Sequence, residues 1–207
     1  MQFENCIKSN LVGTSEVINF CLKNNIKLIY SATSATIGNK GNDKDLSPYA
    51  FTKAKNLEML ENLKKWFKFK FETIFFYNVY GPRQICEGDM ATVIGIFEKK
   101  FYNKQPLTVV SPGTQSRRFT HIDDTIEVCY YAWKKNKCNY YTISNKKSYS
   151  IKRIAKMFGS KIKILPSRKG ERYNSSIGKY YKNNKMIKFF GKIDIKDYIQ
   201  KIVENDS

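Results

Sequence analysis

The chain of 207 residues is long enough to bury a hydrophobic core in one domain, or in one domain with a smaller lobe. Its formal net charge is +19, but the lysines are spread along the whole chain without a dense basic tract. We therefore expect neither a nucleic-acid partner nor a membrane partner. A single histidine, His121, excludes a histidine-rich metal site, and we predict no bound metal.

The five cysteines have no paired spacing, which argues against a disulfide framework. Neither end of the sequence reads as a signal peptide or a long apolar span. These observations predict a cytoplasmic protein with reduced thiols.

Helix and strand signals alternate in the first part of the chain. The predicted elements are a helix over residues 3–24, a strand over 27–33, a helix from Pro48 to about Phe67 and a strand over 71–77. A strand, a helix and a strand at this spacing predict a parallel βαβ unit. The carboxyl ends of its strands, at Thr33 and Asn78, should lie along the edge where open α/β sheets bind ligands.

The second predicted helix contains the clearest chemical signal. Ser47 and Pro48 suit the N-cap and first position of a helix, and one turn then places Tyr49 and Lys53 on the same face. A phenol with a reference pKa of about 10 can act as a base at neutral pH only if a neighbouring ammonium stabilises the phenolate. Several other Tyr-x-x-x-Lys pairs occur, but only this one follows a strand that ends in a hydroxyl, Thr33.

Later segments add candidate binding residues. Asn78 opens the segment Asn-Val-Tyr-Gly-Pro after the second strand, and Arg117 lies between Gly113 and Asp124. Asp123 and Asp124 suit the N-cap of a following helix. Further predicted elements are a helix over about 90–102, a strand over 107–110 and a helix over 195–204.

Together these motifs resemble those of the extended short-chain dehydrogenase/reductases, the NAD-dependent nucleotide-sugar epimerases and dehydratases. The resemblance extends from about Asn10 to Gly170. It implies an α/β fold with a partial Rossmann-like, doubly wound parallel sheet and a smaller C-terminal substrate-binding lobe. Residues 1–80 would form the C-terminal half of a Rossmann NAD-binding domain. Residues 81–207 would form mainly the sugar-nucleotide-binding lobe, with some segments returning to the sheet.

The resemblance also implies roles for single residues. Tyr49 would be the catalytic base, Lys53 would lower its pKa, and Thr33 would hydrogen-bond the reacting oxygen, with Ser34 as the alternative hydroxyl. The implied cofactor-binding residues are Asn10, Tyr49, Lys53 and Phe76, and the implied substrate-binding residues are Thr33, Asn78, Arg117 and Arg168.

The glycine-rich turn that holds the cofactor pyrophosphate in this family has no counterpart in the sequence. The resemblance therefore begins in the middle of the family's first domain. Three interpretations stay open: a fragment, a chain completed by a second polypeptide, or a protein that has lost cofactor binding.

The expected activity is that of an NAD-dependent nucleotide-sugar epimerase, at C4 of the sugar through a keto intermediate. Ser34 and Ala35 stand where dehydratases and decarboxylases have acidic residues, which disfavours those reactions. A nucleotide-sugar reductase is the enzymatic alternative, and a non-catalytic remnant or half of a split enzyme is the other. The expected partners are a nucleotide-diphosphate sugar and a second copy of the chain, since family dimers form through the helices corresponding to residues 5–23 and 48–66.

Overall fold

The structure is a computed structural model, and it describes residues 3–37, 44–88, 90–167 and 186–206. These residues form two compact units. The first contains the described residues of Met1–Phe76, Ile126–Ile143 and Ser176–Phe189, and the second those of Tyr77–Thr125, Ser144–Ser175 and Phe190–Ser207. Each unit therefore combines segments that are distant in the sequence.

The helices lie close to their predicted positions. They are α1 (Phe3–Cys6), a π-helical segment (Ile7–Val12), α2 (Gly13–Lys23), α3 (Pro48–Phe67), α4 (Val93–Tyr102), α5 (Ile122–Lys135), α6 (Ile151–Met157) and α7 (Ile195–Glu204). The strands are β1 (Leu28–Thr33), β2 (Phe71–Phe76), β3 (Val79–Tyr80), β4 (Leu107–Val110), β5 (Ser116–Arg117), β6 (Thr120–His121), β7 (Tyr140–Ser144), β8 (Tyr149–Ser150), β9 (Ile162–Leu165) and β10 (Met186–Phe190). The helix predicted over residues 3–24 is thus interrupted by a π-helical turn.

The main sheet has the strand order β1-β2-β7-β10. β1 pairs in parallel with β2, and β2 pairs in parallel with β7. The predicted parallel βαβ unit of β1, α3 and β2 is therefore confirmed. Its register pairs Thr33 with Phe76 at the carboxyl ends of the two strands.

Helices cover both faces of this sheet. Tyr30 of β1 contacts Asn56 of α3, whereas the preceding residue, Ile29, packs with Val128 and Ala132 of α5. Successive residues of a strand point to opposite faces, so α3 and α5 lie on opposite sides. The first five residues of β2 are all buried, as expected for a strand covered on both faces. The α/β, doubly wound prediction is confirmed.

The start of α3 has the predicted cap. The Ser47 hydroxyl accepts a hydrogen bond from the Ala50 amide at 3.1 Å, and Pro48 occupies the first turn. The helix ends at Phe67, and Lys68 follows in a left-handed conformation with φ 54°. This local sequence fixes the start of α3 at Pro48 and so places Tyr49 in its first turn.

The second unit has its own core, formed by α4, β4, α6 and α7. Its largest fully buried side chains include Tyr80, Phe97, Phe158, Ile154 and Ile195. The unit also contains a parallel β4–β9 pair, a parallel β3–β6 pair and an antiparallel β5–β8 pair.

The N-cap predicted at Asp123 and Asp124 is wrong. Helix α5 begins at Ile122, and the His121 Nδ1 atom accepts the Asp123 amide hydrogen at 3.2 Å. Asp124 is buried and accepts hydrogen bonds from the amides of residues 192 and 193 at 3.1 and 3.2 Å. A carboxylate can satisfy buried amides of a distant loop as well as those of its own helix, and here the loop is the partner.

All five cysteines carry free thiols. Within the described segments, every helix is too short or too polar to span a bilayer.

Candidate active site

The predicted catalytic side chains lie together in the first unit. Tyr49 occupies the first turn of α3, and its phenol shares a hydrogen bond with the side chain of Thr33, the last residue of β1. One turn along α3, the Lys53 ammonium donates a hydrogen bond to the carbonyl oxygen of Ser31 at 3.0 Å. The strand end and the helix start thus bring the three side chains to the same region.

Burial dominates the electrostatics of Tyr49. It raises the pKa of the phenol, a hydrogen bond from Thr33 lowers it, and the nearby Cys6 thiol raises it again. The net effect is a raised pKa, which is opposite to the lowering expected from Lys53. The reason is the burial of the phenol, which is the largest of these effects.

Lys53 is held by two features of β1. Its Nζ atom lies 5.0 Å from the centroid of the Tyr30 ring and hydrogen-bonds the Ser31 carbonyl. Burial lowers the pKa of the ammonium. An ammonium has three donors, and the bond to Ser31 uses one of them. Lys53 can therefore donate to further oxygen atoms, such as the hydroxyls of a ribose.

Thr33 and Ser34 have different surroundings in the turn after β1. The Thr33 hydroxyl accepts the Ala35 amide hydrogen at 3.3 Å and caps a short 3₁₀ turn, Ser34–Thr36. Ser34 itself is buried. The Thr33 side chain also shares a hydrogen bond with Tyr49.

Asn10 and Phe76, the other two predicted cofactor residues, also belong to the first unit. Asn10 lies on the π-helical segment, and its side-chain amide donates to the Thr52 hydroxyl at 3.0 Å. Phe76 is half-buried and is the register partner of Thr33.

Two of the predicted substrate-binding residues line a cavity of about 370 Å³ in the second unit. They are Asn78 and Arg117, and the apolar side of the cavity includes Val93, Ile96 and Leu165. Its volume lies within the range of about 300–1,000 Å³ that small-molecule sites occupy. The cavity therefore combines a guanidinium, an amide and an apolar wall.

The conformation of Asn78 is unusual for a residue with a side chain. Its φ is 38°, in the left-handed region that Asn tolerates better than most residues. The side-chain amide donates to the Arg118 carbonyl at 2.8 Å, which ties the segment after β2 to the segment that contains Arg117. The fourth predicted substrate residue, Arg168, lies outside the described residues.

Helix α3 also contains a buried polar group that the sequence motifs did not reveal. Thr52 and Asn56 are both 0% exposed, and they contact Asn10, Thr14 and Tyr30. The signal that could have revealed them is their spacing, since they lie three and seven residues after Tyr49, on the face that packs inward.

Known proteins resemble this chain in sequence. The sequence profile of the NAD dependent epimerase/dehydratase family matches residues 2–144. The chain is 29% identical over 142 residues to an ADP-L-glycero-D-manno-heptose-6-epimerase of Fusobacterium nucleatum subsp. nucleatum, a match that covers 59% of this chain and 43% of that relative. Two other curated relatives match over 39% and 51% of their lengths, so the matched part is about half of each protein or less.

Solved structures are similar over nearly the whole chain. A UDP-glucose 4-epimerase from Thermotoga maritima, solved with UDP-glucose, has a TM-score of 0.81 at 20% identity, and the match covers 95% of this chain and 69% of that one. A UDP-glucuronic acid 4-epimerase from Bacillus cereus, solved with UDP-glucuronic acid and NAD, has a TM-score of 0.79 at 23% identity, with coverages of 97% and 68%. At these identities the likeness establishes the fold, and the profile match establishes the family. This chain belongs to the NAD dependent epimerase/dehydratase family.

Proposed function

We propose that the chain acts on a nucleotide-diphosphate sugar as an NAD-dependent epimerase and inverts C4 through a keto intermediate. The observation that carries this proposal is the cluster of Thr33, Tyr49 and Lys53 at the carboxyl end of β1. A hydroxyl, a phenol and an ammonium are the groups needed to move a proton on and off an alcohol. The choice of C4 is supported by the structural neighbours that are described as 4-epimerases.

In this proposal the side chains handle the proton of the sugar hydroxyl. Tyr49 takes it as the alcohol becomes a ketone and returns it when the ketone is reduced. Thr33 donates a hydrogen bond to the same oxygen, and the positive charge of Lys53 favours the phenolate of Tyr49. Bound NAD supplies a hydride acceptor that can return the hydride to the opposite face of the sugar.

The raised pKa of Tyr49 has different consequences for the two half-reactions. A phenol that stays protonated at neutral pH is a ready donor for the step that reduces the ketone. The step that oxidises the alcohol needs the phenolate of Tyr49. It therefore depends on the positive charge of Lys53 more strongly than the reducing step does.

The described residues fit the nicotinamide end of NAD. Lys53 has donors that the Ser31 bond leaves available, and the half-buried Phe76 lies opposite Thr33 on the neighbouring strand. We propose that Lys53 binds the nicotinamide ribose and that Phe76 borders the nicotinamide ring. Asn10 is proposed as a further cofactor-binding residue.

The cavity of the second unit supports the substrate class. We propose that Arg117 pairs with the diphosphate and that Asn78 hydrogen-bonds the sugar nucleotide, with Arg168 as a further diphosphate contact. A guanidinium at the edge of a partly apolar cavity suits a nucleotide, which joins a flat base to charged phosphates.

The surface of the first unit supports a homodimer. Large apolar side chains are exposed on α1, α2 and the end of α3: Phe3, Val17, Phe20, Trp66 and Phe67 are between 49% and 66% exposed. Exposed large apolar side chains are typical of protein–protein contact surfaces, and we propose that a second copy of the chain covers these.

A second candidate function is half of a split enzyme. β1 lies at one end of the strand order, so one of its edges has no partner strand in the part of the chain that the structure describes. An unpaired edge can accept a strand from another polypeptide. We propose, as the alternative, that a separate N-terminal chain pairs there and brings the pyrophosphate-binding turn.

The test is a product assay with NAD and a panel of UDP- and GDP-sugars, in which epimers are resolved by proton NMR. Epimer formation with catalytic NAD supports the epimerase. Net consumption of reduced cofactor identifies the reductase instead. Native mass spectrometry with NAD complements the assay: a folded chain that binds NAD only after a glycine-motif chain is added supports the split enzyme.

A further inference from the structure

Asn56 occupies an unusual position for a polar side chain. It lies in the middle of α3, is 0% exposed, and belongs to the same helix as Tyr49 and Lys53. A buried amide is costly unless it is hydrogen-bonded, so its partners indicate what it does.

Those partners belong to three different elements. The Asn56 Nδ2 atom donates to the Asn10 carbonyl at 2.7 Å, and it lies 3.2 Å from the Thr14 hydroxyl and 3.2 Å from the Tyr30 hydroxyl. An amide nitrogen has two hydrogens, so the shortest contact, to Asn10, takes one and the other two partners share the second.

The first partner, Asn10, is held at two points by α3. Its carbonyl accepts from Asn56, and its side-chain amide donates to the Thr52 hydroxyl at 3.0 Å. Asn10 lies in a π-helical turn, in which the Gly13 amide reaches back five residues to the Lys8 carbonyl. Single π-helical turns are rare and need outside contacts to persist, and α3 supplies them here.

The third partner supports Lys53. The Tyr30 ring is almost completely buried, and its centroid lies 5.0 Å from the Lys53 ammonium. By fixing the Tyr30 hydroxyl, Asn56 fixes the ring against which Lys53 packs. One amide therefore determines the place of both Asn10 and Lys53.

We propose that Asn56 is a positioning residue for the reaction: it acts through Asn10 and Lys53 and contacts neither substrate nor cofactor. For its kinetic consequence this inference rests on the proposed function. Its structural consequence can be measured without any turnover.

The experiment compares Asn56→Leu with Leu60→Ala in the full chain. Leu60 lies one turn further along α3, is also 0% exposed and has an apolar side chain, so its truncation disturbs the same helix without removing a side-chain hydrogen bond. We expect Asn56→Leu to lower turnover about 10- to 100-fold at saturating sugar nucleotide, with the Michaelis constant within about threefold of wild type. At temperatures below its thermal unfolding transition, Leu60→Ala should have the turnover and the Michaelis constant of wild type. Equal turnover in the two variants would overturn the proposal.

A second readout is the titration of Lys53, followed by NMR of lysine labelled at Cε and assigned with Lys53→Arg. Loss of the Asn56 contact should loosen Tyr30 and admit water, which should raise the pKa of Lys53 because burial is what lowers it. Leu60→Ala should titrate like wild type. An unchanged titration in Asn56→Leu would contradict the inference.

The two readouts separate the two proposals. If the wild-type chain turns over no sugar nucleotide but Asn56→Leu raises the pKa of Lys53, the enzymatic function is refuted and the structural role of Asn56 in placing Lys53 is supported. If Asn56→Leu does not fold, Thr52→Val removes the other contact to Asn10 with little change of shape. It should lower turnover and leave the Michaelis constant unchanged, and wild-type turnover in this variant would overturn the proposal.

Discussion

Thr33 and Phe76 are register partners at the carboxyl ends of β1 and β2. One was predicted as a catalytic hydroxyl and the other as a nicotinamide contact, from motifs more than 40 residues apart in the sequence. The parallel pairing of the two strands brings them to the same edge of the sheet. This is the place where an open α/β sheet binds its ligands, and the relation links the fold to the proposed chemistry.

Removal of the Lys53 charge should change the pH dependence of turnover. Burial already raises the pKa of Tyr49, so the fraction of phenolate, and with it the oxidative step, should increase as the pH rises toward that pKa. In Lys53→Met the positive charge is lost and the pKa should rise further, so the rising limb of the profile of kcat against pH should move to higher pH. At pH 7 we expect a loss of about 100-fold or more.

The control for this experiment is Lys55→Met, which removes an exposed lysine two residues along the same helix. Its profile should match that of wild type. A Lys53→Met profile that coincides with the control would contradict the role assigned to the ammonium.

Arg117 should affect binding more than chemistry. Arg117→Lys keeps the charge but loses the fork that pairs two phosphate oxygens, and we expect the Michaelis constant of the sugar nucleotide to rise about tenfold with kcat little changed. Steady-state kinetics provide the measurement. Arg153→Lys, at an exposed arginine of α6, is the matched control. A loss confined to kcat would show that Arg117 does not hold the diphosphate.

The first unit contains a buried ion pair that should matter for stability. Lys27 Nζ lies 2.8 Å from Glu72 Oε1, and the two side chains are 13% and 0% exposed. Lys27→Met leaves the carboxylate buried without its cation, so the free energy of unfolding in urea should fall by about 3–5 kcal/mol. The exposed pair of Lys55 and Glu58 is the comparison, and Lys55→Met should leave stability unchanged within error. Similar effects of the two substitutions would refute the burial argument.

The exposed apolar helices should form the dimer contact. Phe20 is 60% exposed on α2. Phe20→Glu places a charge in the proposed contact and should shift the chain toward monomer in sedimentation velocity experiments. Trp133 on α5 is 61% exposed and belongs to another surface of the same unit, so Trp133→Glu should not change the sedimentation of the chain. A wild-type chain that sediments as a monomer would rule out the homodimer.

Local signals made much of the first unit predictable. Ser47 and Pro48 define the start of α3 through short-range chemistry, and the aromatic run of β2 is buried as its composition suggests. Parallel pairing followed from the alternation of strand and helix, because the crossover connection leaves few other arrangements.

Features that depend on distant contacts were not predictable. The π-helical turn around Asn10 has no sequence signature, because Asn10 hydrogen-bonds two residues of α3 that lie 42 and 46 positions later in the sequence. Asp124 binds a loop 68 residues later, where a local cap was expected. The direction of the Lys53 ammonium is set by the Ser31 carbonyl, and helical spacing alone gives only the face on which Lys53 lies.

The most direct test of the proposed chemistry is the turnover of Tyr49→Phe, with NAD and the sugar nucleotide that wild type converts. This substitution removes one oxygen atom from a half-buried ring, so the fold and the thermal unfolding temperature should stay close to those of wild type. If Tyr49 transfers the proton of the sugar hydroxyl, kcat should fall by about 100- to 10,000-fold. A variant that epimerises as fast as wild type would contradict the assignment of Tyr49 as the catalytic base and, with it, the proposed mechanism.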